Sequence, residues 1–443
     1  MGKRAALETL GCKVNQYESA FFLEALSDSG YEFASFNECA DLYIVHSCAV
    51  TARASYQTRQ LLRRARRINP GAIIVVAGCA AQLEPDRFAT EGLATHILGN
   101  STKFDLPSQI AFPGTLAKPS MAIADPGLCR TCVPLPVNRM LSGRARAFLK
   151  IQDGCDAFCT YCVVPLVRGR SRSLPLEQVS MQMDRFLDAG FNEVVFTGIH
   201  LGQWGKDLMP QRGLPDLLAH FSDRLFQSRI RLSSLEPMEW NSRLLDTLTA
   251  HPWICSHFHV PLQSGDEEVL QRMARPYSPR EYSEIIRELK RRRPGAAIGA
   301  DVMAGFPSET GRAFENTCRF LEELPVTYLH VFPYSPRPGT AAARWNITVD
   351  GSEIKRRTQI LRRLGQKKRE AFYQSAIGTI AETLIETRLG DDRWQGTSDN
   401  YLPVVIRSTE PLAPGLLVNV RLTHLDGRAV VGQLLSDSHG RRW

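Results

Sequence analysis

Cys155, Cys159 and Cys162 fall within eight residues of one another in the stretch QDGCDAFCTYC, and Arg168, Arg170 and Arg172 follow closely. The spacing C-x3-C-x2-C supplies three soft ligands. A tetrahedral zinc site takes four protein ligands, and no fourth Cys or His follows at a suitable distance. A 4Fe–4S cubane accepts three thiolates and leaves one iron open, where a substrate can chelate. The plain alternative is three buried, unrelated thiols. Three in eight residues directly after an expected strand argue against it.

A second set is spread along the first eighty residues. Cys12 follows AALETLG, Cys48 follows YIVHS and Cys79 follows IIVVAG. In an open parallel sheet the carboxyl ends of the strands form the binding edge, so three cysteines distant in sequence can meet there. Any one of them is equally a buried thiol. Cys39, Cys255 and Cys318 read as packing residues. Cys129 and Cys132 form a C-x2-C with no second half of a zinc site. His46, His200, His257 and His259 lie near motifs, where hydrogen-bonded structural roles are commoner than ligation.

The elements that must position these thiols come from the apolar pattern. The chain has 443 residues, 43% apolar and 23% charged, enough for two to four domains. AALETLG, DLYIVHS, AIIVVAG and THILGN read as strands, with helical spacing over 16–29, 51–68 and 82–92. That is a parallel α/β domain over residues 1–125. Residues 105–140 are rich in Pro, Gly and Ser and read as a linker. Six further strands are expected in ARAFLKIQ, EVVFTGI, RIRLSSL, SHFHVPL, AAIGADVMAGF and YLHVFPY. They predict a partial (β/α)6 barrel over 141–370, with its chemistry at the strands' carboxyl ends. Ser278, Pro279 and Glu281 open one of its helices as a capping box. Residues 373–443 read as a small antiparallel β-barrel with a hairpin at Asp426-Gly427. The N-terminus has no apolar export segment, and AIIVVAGCAA is too short to span a bilayer. A cytoplasmic location is therefore expected, where eleven cysteines are not a disulfide framework.

These motifs resemble the radical S-adenosylmethionine (SAM) superfamily. The resemblance implies that SAM chelates the open iron of a cluster held by Cys155, Cys159 and Cys162, and that one electron cleaves it to a 5′-deoxyadenosyl radical. It places Tyr161 against the adenine, and Thr197, Gly198 and Gly202 of TGIHLGQWG beside the amino group, which glycine lets the backbone approach. RLSSLEP, HVPLQSG, ADVMAGFPSET and HVFPYSPRPGT extend the likeness to the methylthiotransferase branch. By that likeness Ser234, Glu236, Gln263 and Asp301 belong to the SAM pocket. TLGCKVNQYES, HSCAVTARA and AGCAAQ match the segments with which that branch binds a second 4Fe–4S cluster, through Cys12, Cys48 and Cys79. The C-terminal barrel resembles the RNA-binding TRAM module.

The branch includes enzymes acting on threonylcarbamoyladenosine in tRNA, on isopentenyladenosine in tRNA, and on a ribosomal-protein aspartate. The local wording, Asp153-Gly154 before the cluster among it, is most like the first. The implied partners are tRNA and an electron donor such as flavodoxin or ferredoxin, with neither membrane nor DNA. Lys plus Arg exceed Asp plus Glu by 54 to 46, a net charge of +8. Arg168, Arg170 and Arg172, the runs LLRRARR and ELKRRRP, eight basic residues against two Glu over 351–370, and Trp394 and Tyr401 then suggest a phosphate track. A metal-containing RNA-binding protein without catalysis is the rival from another class.

Overall fold

β-branched runs bounded by glycine and polar residues form the first strands. In the computed structural model, which describes residues 2–110, 119–138, 144–222, 228–408 and 411–435, they are β1 (Arg4–Thr9), β2 (Glu32–Phe33), β3 (Leu42–Ser47), β4 (Ile73–Gly78), β5 (His96–Leu98) and β6 (Ser120–Ala122). They pair in parallel in the order β2-β1-β3-β4-β5-β6. β3 is buried along its whole length and β4 nearly so, as continuous apolar strands covered on both faces must be. The helices α1 (Lys13–Asp28), α2 (Ala52–Ile68) and α3 (Cys79–Leu83) follow β1, β3 and β4. Thr51 caps α2, its Oγ accepting from Ala54 N at 3.1 Å.

Two expectations need correction. The helical stretch 82–92 is two short helices, because Pro85 starts a new one and cannot donate into the preceding turn. The supposed linker is partly built into this domain. β6 extends the sheet, Cys132, Leu135 and Val137 are buried, and Tyr17 donates its hydroxyl to Leu135 O at 2.8 Å. Turn-rich composition reports local conformation, whereas pairing with β5 is a long-range event. Residues 111–118 and 139–140 of that stretch, and 141–143 of the expected barrel domain, lie outside the described residues.

The chain divides into two compact units. The first is drawn from 1–143, 150–174 and 335–344, the second from 144–149, 175–334 and 345–443. The second holds β7 (Ala147–Lys150, shared at its last residue), β8 (Glu193–Thr197), β9 (Arg229–Leu232), β10 (His257–His259), β11 (Ala297–Ala304) and β12 (Tyr328–Pro333). They form sheets β9-β8-β7 and β10-β11-β12, joined by a parallel bridge between Ile230 and Ile254. Helices follow the strands. The helix Pro279–Arg292 opens with the expected capping box, Glu281 N donating to Ser278 Oγ and Ser278 N to Glu281 Oε2.

The C-terminal strands β13 (Ile380–Arg388), β14 (Arg393–Ser398), β15 (Pro403–Arg407), β16 (Leu417–Asp426) and β17 (Ala429–Leu434) close into a barrel in the order β13-β14-β15-β17-β16. β14 was not expected. Its inward positions are Trp394, Gly396 and Ser398, a mixed set with no hydrophobic alternation to betray a strand. Residues 436–443, counted in the expected barrel, lie outside the described residues. Charged side chains fasten this barrel to the strands beside it. Glu193, fully buried, binds Arg229 and Arg231 at 2.6 and 2.8 Å. Those arginines donate onward to the main-chain carbonyls of Glu382, Thr397, Ser398 and Asp399.

Candidate active site

β1, β3 and β4 are neighbours, and the sheet order reverses at β1 and β3. A crevice at the carboxyl ends is therefore dictated there, and Cys12, Cys48 and Cys79 meet in it. The chain bends closely around them. A Cβ on Gly11, whose φ is +98°, would lie 2.9 Å from Cys48 Sγ. Asn15 donates from Nδ2 to Leu10 O and Ser47 O, holding two of the cysteine loops together. Burial, then the nearby Cys79, pushes the Cys48 thiol up to about 12. Burial also raises Cys12, against the pull of the Arg168 guanidinium. Bare, such thiols stay protonated. A bound metal centre supplies the positive charge that deprotonates a coordinating thiol.

The C-x3-C-x2-C loop leaves a two-residue ribbon in which Gln152 and Asp153 pair with Ser173 and Arg172. Gly154 turns it, with φ +74°; a Cβ there would sit 1.9 Å from Arg170 O. Cys155 N donates to Gly169 O at 3.1 Å, Cys162 N to Cys159 O at 2.9 Å, and Ala157 N to Cys155 Sγ at 3.4 Å. Cys159 is buried; Cys155, Tyr161 and Cys162 are half-buried. After the loop, the short helix Val164–Arg168 packs Val167 into the same apolar cluster as Cys79. Asn100 ties Cys79 to the helix that follows the C-x3-C-x2-C loop, donating to Cys79 Sγ at 3.5 Å and to Val167 O at 2.7 Å. The segment 335–344 returns to the same unit and touches both. Ala52 N donates to Ser335 Oγ, Arg337 Nη2 to Ser55 Oγ, and Ala342 N to Thr160 O.

Beneath the thiols lies a charge network that the sequence did not announce. Lys103 Nζ meets Glu18 at 2.6 Å and Lys150 Nζ meets it at 2.9 Å. Arg168 binds Glu18 at 3.3 Å and Asp153 at 2.8 Å, and Arg172 lies 3.6 Å from Asp153. Although burial alone would raise it, Glu18 is held well below the usual carboxylate range by Lys103, Lys150 and Arg168. Burial, then Lys103, keeps His46 far below its ordinary value, so it is neutral near pH 7. The sequence hint was a lysine inside the apolar strand AFLK.

The expected phosphate contacts change accordingly. Arg168 and Arg172 are buried ion-pair members and cannot track a polyanion, because removing them from Asp153 would strand its charge. Trp394 is buried in the barrel's core. Tyr401 is partly exposed, but its ring stacks on His257 at 4.3 Å and under Arg231. Arg170 remains exposed, 3.0 Å from Asp156. Cys39, expected in the packing, is exposed.

In the second unit the residues beyond successive strands share one property. Gln203 Oε1 after β8, Ser233 Oγ after β9, Gln263 Oε1 after β10, Ser308 Oγ after β11 and Tyr334 Oη after β12 are buried polar atoms with no partner among the described residues. Polar atoms left this way at the carboxyl ends of consecutive strands ask for a polar ligand. Thr197 ends β8 and is buried, with Gly198 half-buried beside it. At Gly202 a Cβ would collide with the Glu239 carboxylate, which His200 holds at 2.7 Å. Glu236 pairs with Arg275, and Ser234 is exposed. Asp301 accepts from His259 Nε2 at 2.9 Å and lies 3.4 Å from His330 Nδ1. Among the described residues no helix is long and apolar enough to cross a membrane.

Comparison with known proteins bears on this arrangement. The model of an uncharacterised family, UPF0004, matches residues 4–99, and that of the radical SAM superfamily matches residues 149–321. The threonylcarbamoyladenosine tRNA methylthiotransferase MtaB of Bacillus subtilis (strain 168) is 34% identical over 94% of this chain and 93% of its own. The protein of that name from Aquifex aeolicus (strain VF5) is 34% identical over 90% of this chain and 96% of its own. A tRNA-2-methylthio-N(6)-dimethylallyladenosine synthase of Pelotomaculum thermopropionicum (strain DSM 13744 / JCM 10971 / SI) is 32% identical, covering 96% and 97%. Among solved structures, the radical SAM methyltransferase TsrM of Kitasatospora setae aligns with a TM-score of 0.56 at 16% identity, over 77% of this chain and 75% of that one, a likeness of fold. With six thiols in two groups within one unit and near full-length similarity to such enzymes, the chain belongs to the radical SAM methylthiotransferase family.

Proposed function

We propose that this enzyme transfers a methylthio group to carbon 2 of threonylcarbamoyladenosine in tRNA, with SAM and two 4Fe–4S clusters as cofactors. The observation that carries the reading is the gathering of Cys12, Cys48 and Cys79 beside the helix that leaves the Cys155–Cys162 loop, bridged by Asn100. In this reading Cys155, Cys159 and Cys162 hold the cluster that binds SAM, and the other three hold the second. With the cluster and SAM bound there, Cys155, Cys159 and Cys162 would hold a centre able to supply one-electron, hydrogen-abstracting chemistry.

The chain's own work is to bind, orient and exclude water. Gly154 and the Gln152–Asp153 ribbon fix where Cys155 points. Tyr161 offers its ring to the adenine. Thr197, Gly198, Gly202, Ser234, Glu236, Gln263 and Asp301 are assigned to SAM, and at the same strand ends Gln203, Ser233, Gln263, Ser308 and Tyr334 offer buried polar atoms without a partner among the described residues. Exposed basic residues of the helix Gly351–Ser375, Arg362, Arg363, Lys367 and Arg369, take over the phosphate contacts first sought at Arg168 and Arg172. Flavodoxin or ferredoxin delivers the electron, in the cytoplasm.

The test is mass spectrometry of tRNA nucleosides from a strain lacking the protein. Loss of the methylthio form of threonylcarbamoyladenosine is the expected result. Loss of the dimethylallyl form instead would favour the second reading, to which the 32% identical synthase points. An unchanged tRNA profile sinks both. Iron analysis checks the cofactors: about eight iron per chain for two cubanes, falling by half when Cys12, Cys48 and Cys79 are replaced by Ala.

A further inference from the structure

We propose that Arg168, Lys103 and Arg337 form a buried cationic cradle that raises the reduction potential of the cluster held by Cys12, Cys48 and Cys79. The inference rests on the two-cluster reading above and adds residues to it. Two of the cations reach a thiol through one asparagine. Arg168 Nη2 donates to Asn15 Oδ1 at 2.6 Å, and Cys12 Sγ lies 3.9 Å from that oxygen. Lys103 Nζ donates to Asn100 Oδ1 at 2.9 Å, and Asn100 Nδ2 donates to Cys79 Sγ at 3.5 Å. Arg337 lies in the electrostatic reach of Cys48, fixed by Ser55 and by Glu84 at 3.6 Å, with its Nε lacking a partner among the described residues.

Charge counting gives the sign. Lys103, Lys150, Arg168 and Arg172 are all buried, and among the described residues Glu18 and Asp153 are the carboxylates that pair with them, so two positive charges are in excess. Asn15 and Asn100 are neutral. Buried charge is poorly screened by salt, and an uncompensated excess in the interior is costly. An anionic occupant of the crevice relieves it: three thiolates around a cubane carry net negative charge, and one more electron makes them more negative still. The cradle therefore favours the reduced form. The asparagines also aim their dipoles and one N–H at sulfur, a further lever on the potential.

The experiment uses the full-length chain with Cys155, Cys159 and Cys162 all replaced by Ala, so that only the N-terminal cluster contributes. Iron content comes first, about four per chain being expected. Potentiometric titration followed by electron paramagnetic resonance then compares this parent with Arg168→Gln, Arg168→Lys, Lys103→Gln and Arg337→Gln. Loss of one cation is expected to shift the reduced-to-oxidised ratio at least tenfold toward oxidised, about 59 mV for one electron, while Arg168→Lys keeps most of the parental midpoint. Arg337→Gln carries the test if the more deeply buried changes prevent folding, because its partner Glu84 is partly exposed. Unchanged midpoints in variants that hold full iron overturn the cradle and leave two clusters standing. A parent that binds no iron at the N-terminal cysteines overturns both readings.

Discussion

Replacing Gly154 by Ala should destroy the SAM-binding cluster while leaving the rest of the protein folded. Two costs combine. With φ at +74° any L-residue pays the left-handed penalty, roughly 1–2 kcal/mol. In addition, the new Cβ would stand 1.9 Å from Arg170 O, 2.6 Å from Arg170 C and 2.8 Å from Gly169 O. All three are backbone atoms of the segment that leads into the strand Arg172–Ser173, which pairs with Gln152–Asp153, and Cys155 N hydrogen-bonds to that same Gly169 O. Restoring a tolerable contact moves the loop by about 1 Å, a displacement at which preorganised sites fail. Overpacking of this kind adds about 1–3 kcal/mol. Gly30→Ala is the matched control: its φ is +82°, but nothing lies within 4 Å of its Cβ position. The assay measures urea midpoint, iron per chain and deoxyadenosine released under reductant. Gly30→Ala should lose only about 1–2 kcal/mol and keep all iron. Gly154→Ala should lose more stability, about four of about eight iron, and its deoxyadenosine. Full iron and undiminished deoxyadenosine release in Gly154→Ala would refute the claim that the turn positions Cys155.

Glu193→Ala should cost about 3–5 kcal/mol in urea unfolding, because Arg229 and Arg231 are left buried without their carboxylate. Burial favours the protonated acid, but Arg231, Arg229 and Arg146 hold its folded-state pKa well below the usual value. The stability it contributes is therefore complete above about pH 4.3 and lost only as pH falls further, so the wild-type advantage should be level from pH 8 to 5; a decline within that range contradicts the assignment. For tRNA binding, Arg362→Glu with Arg363→Glu should weaken affinity and flatten the log–log salt dependence by roughly 0.7–0.9 per lost phosphate contact, with filter binding as the readout. Unaltered affinity would remove the helix Gly351–Ser375 from the RNA path. Gly202→Ala, which drives a methyl group into the Glu239 carboxylate, should raise the SAM concentration needed for half-maximal cleavage; an unchanged requirement takes Gly202 out of the SAM pocket.

The sequence by itself determined the strand order of chemistry. Runs such as YIVHS and IIVVAG can only be buried strands, and a cysteine directly beyond such a run lies at a carboxyl edge. The C-x3-C-x2-C spacing is local, so the ligand set is written in eight residues, although the Gly154 turn packed against Arg170 aims the first of them. Tertiary structure decided what the charges do. Arg168 and Arg172 look in sequence like a solvated basic run, and they became interior ions because Asp153 pairs with both and Glu18 of α1, which also holds Lys103 and Lys150, pairs with Arg168. Trp394 and the strand around it were hidden for a related reason: a closed barrel lets Gly396 and Ser398 face inward, and no period marks them. Burial of a charged group is a property of partners far away in the chain, which composition and periodicity do not encode.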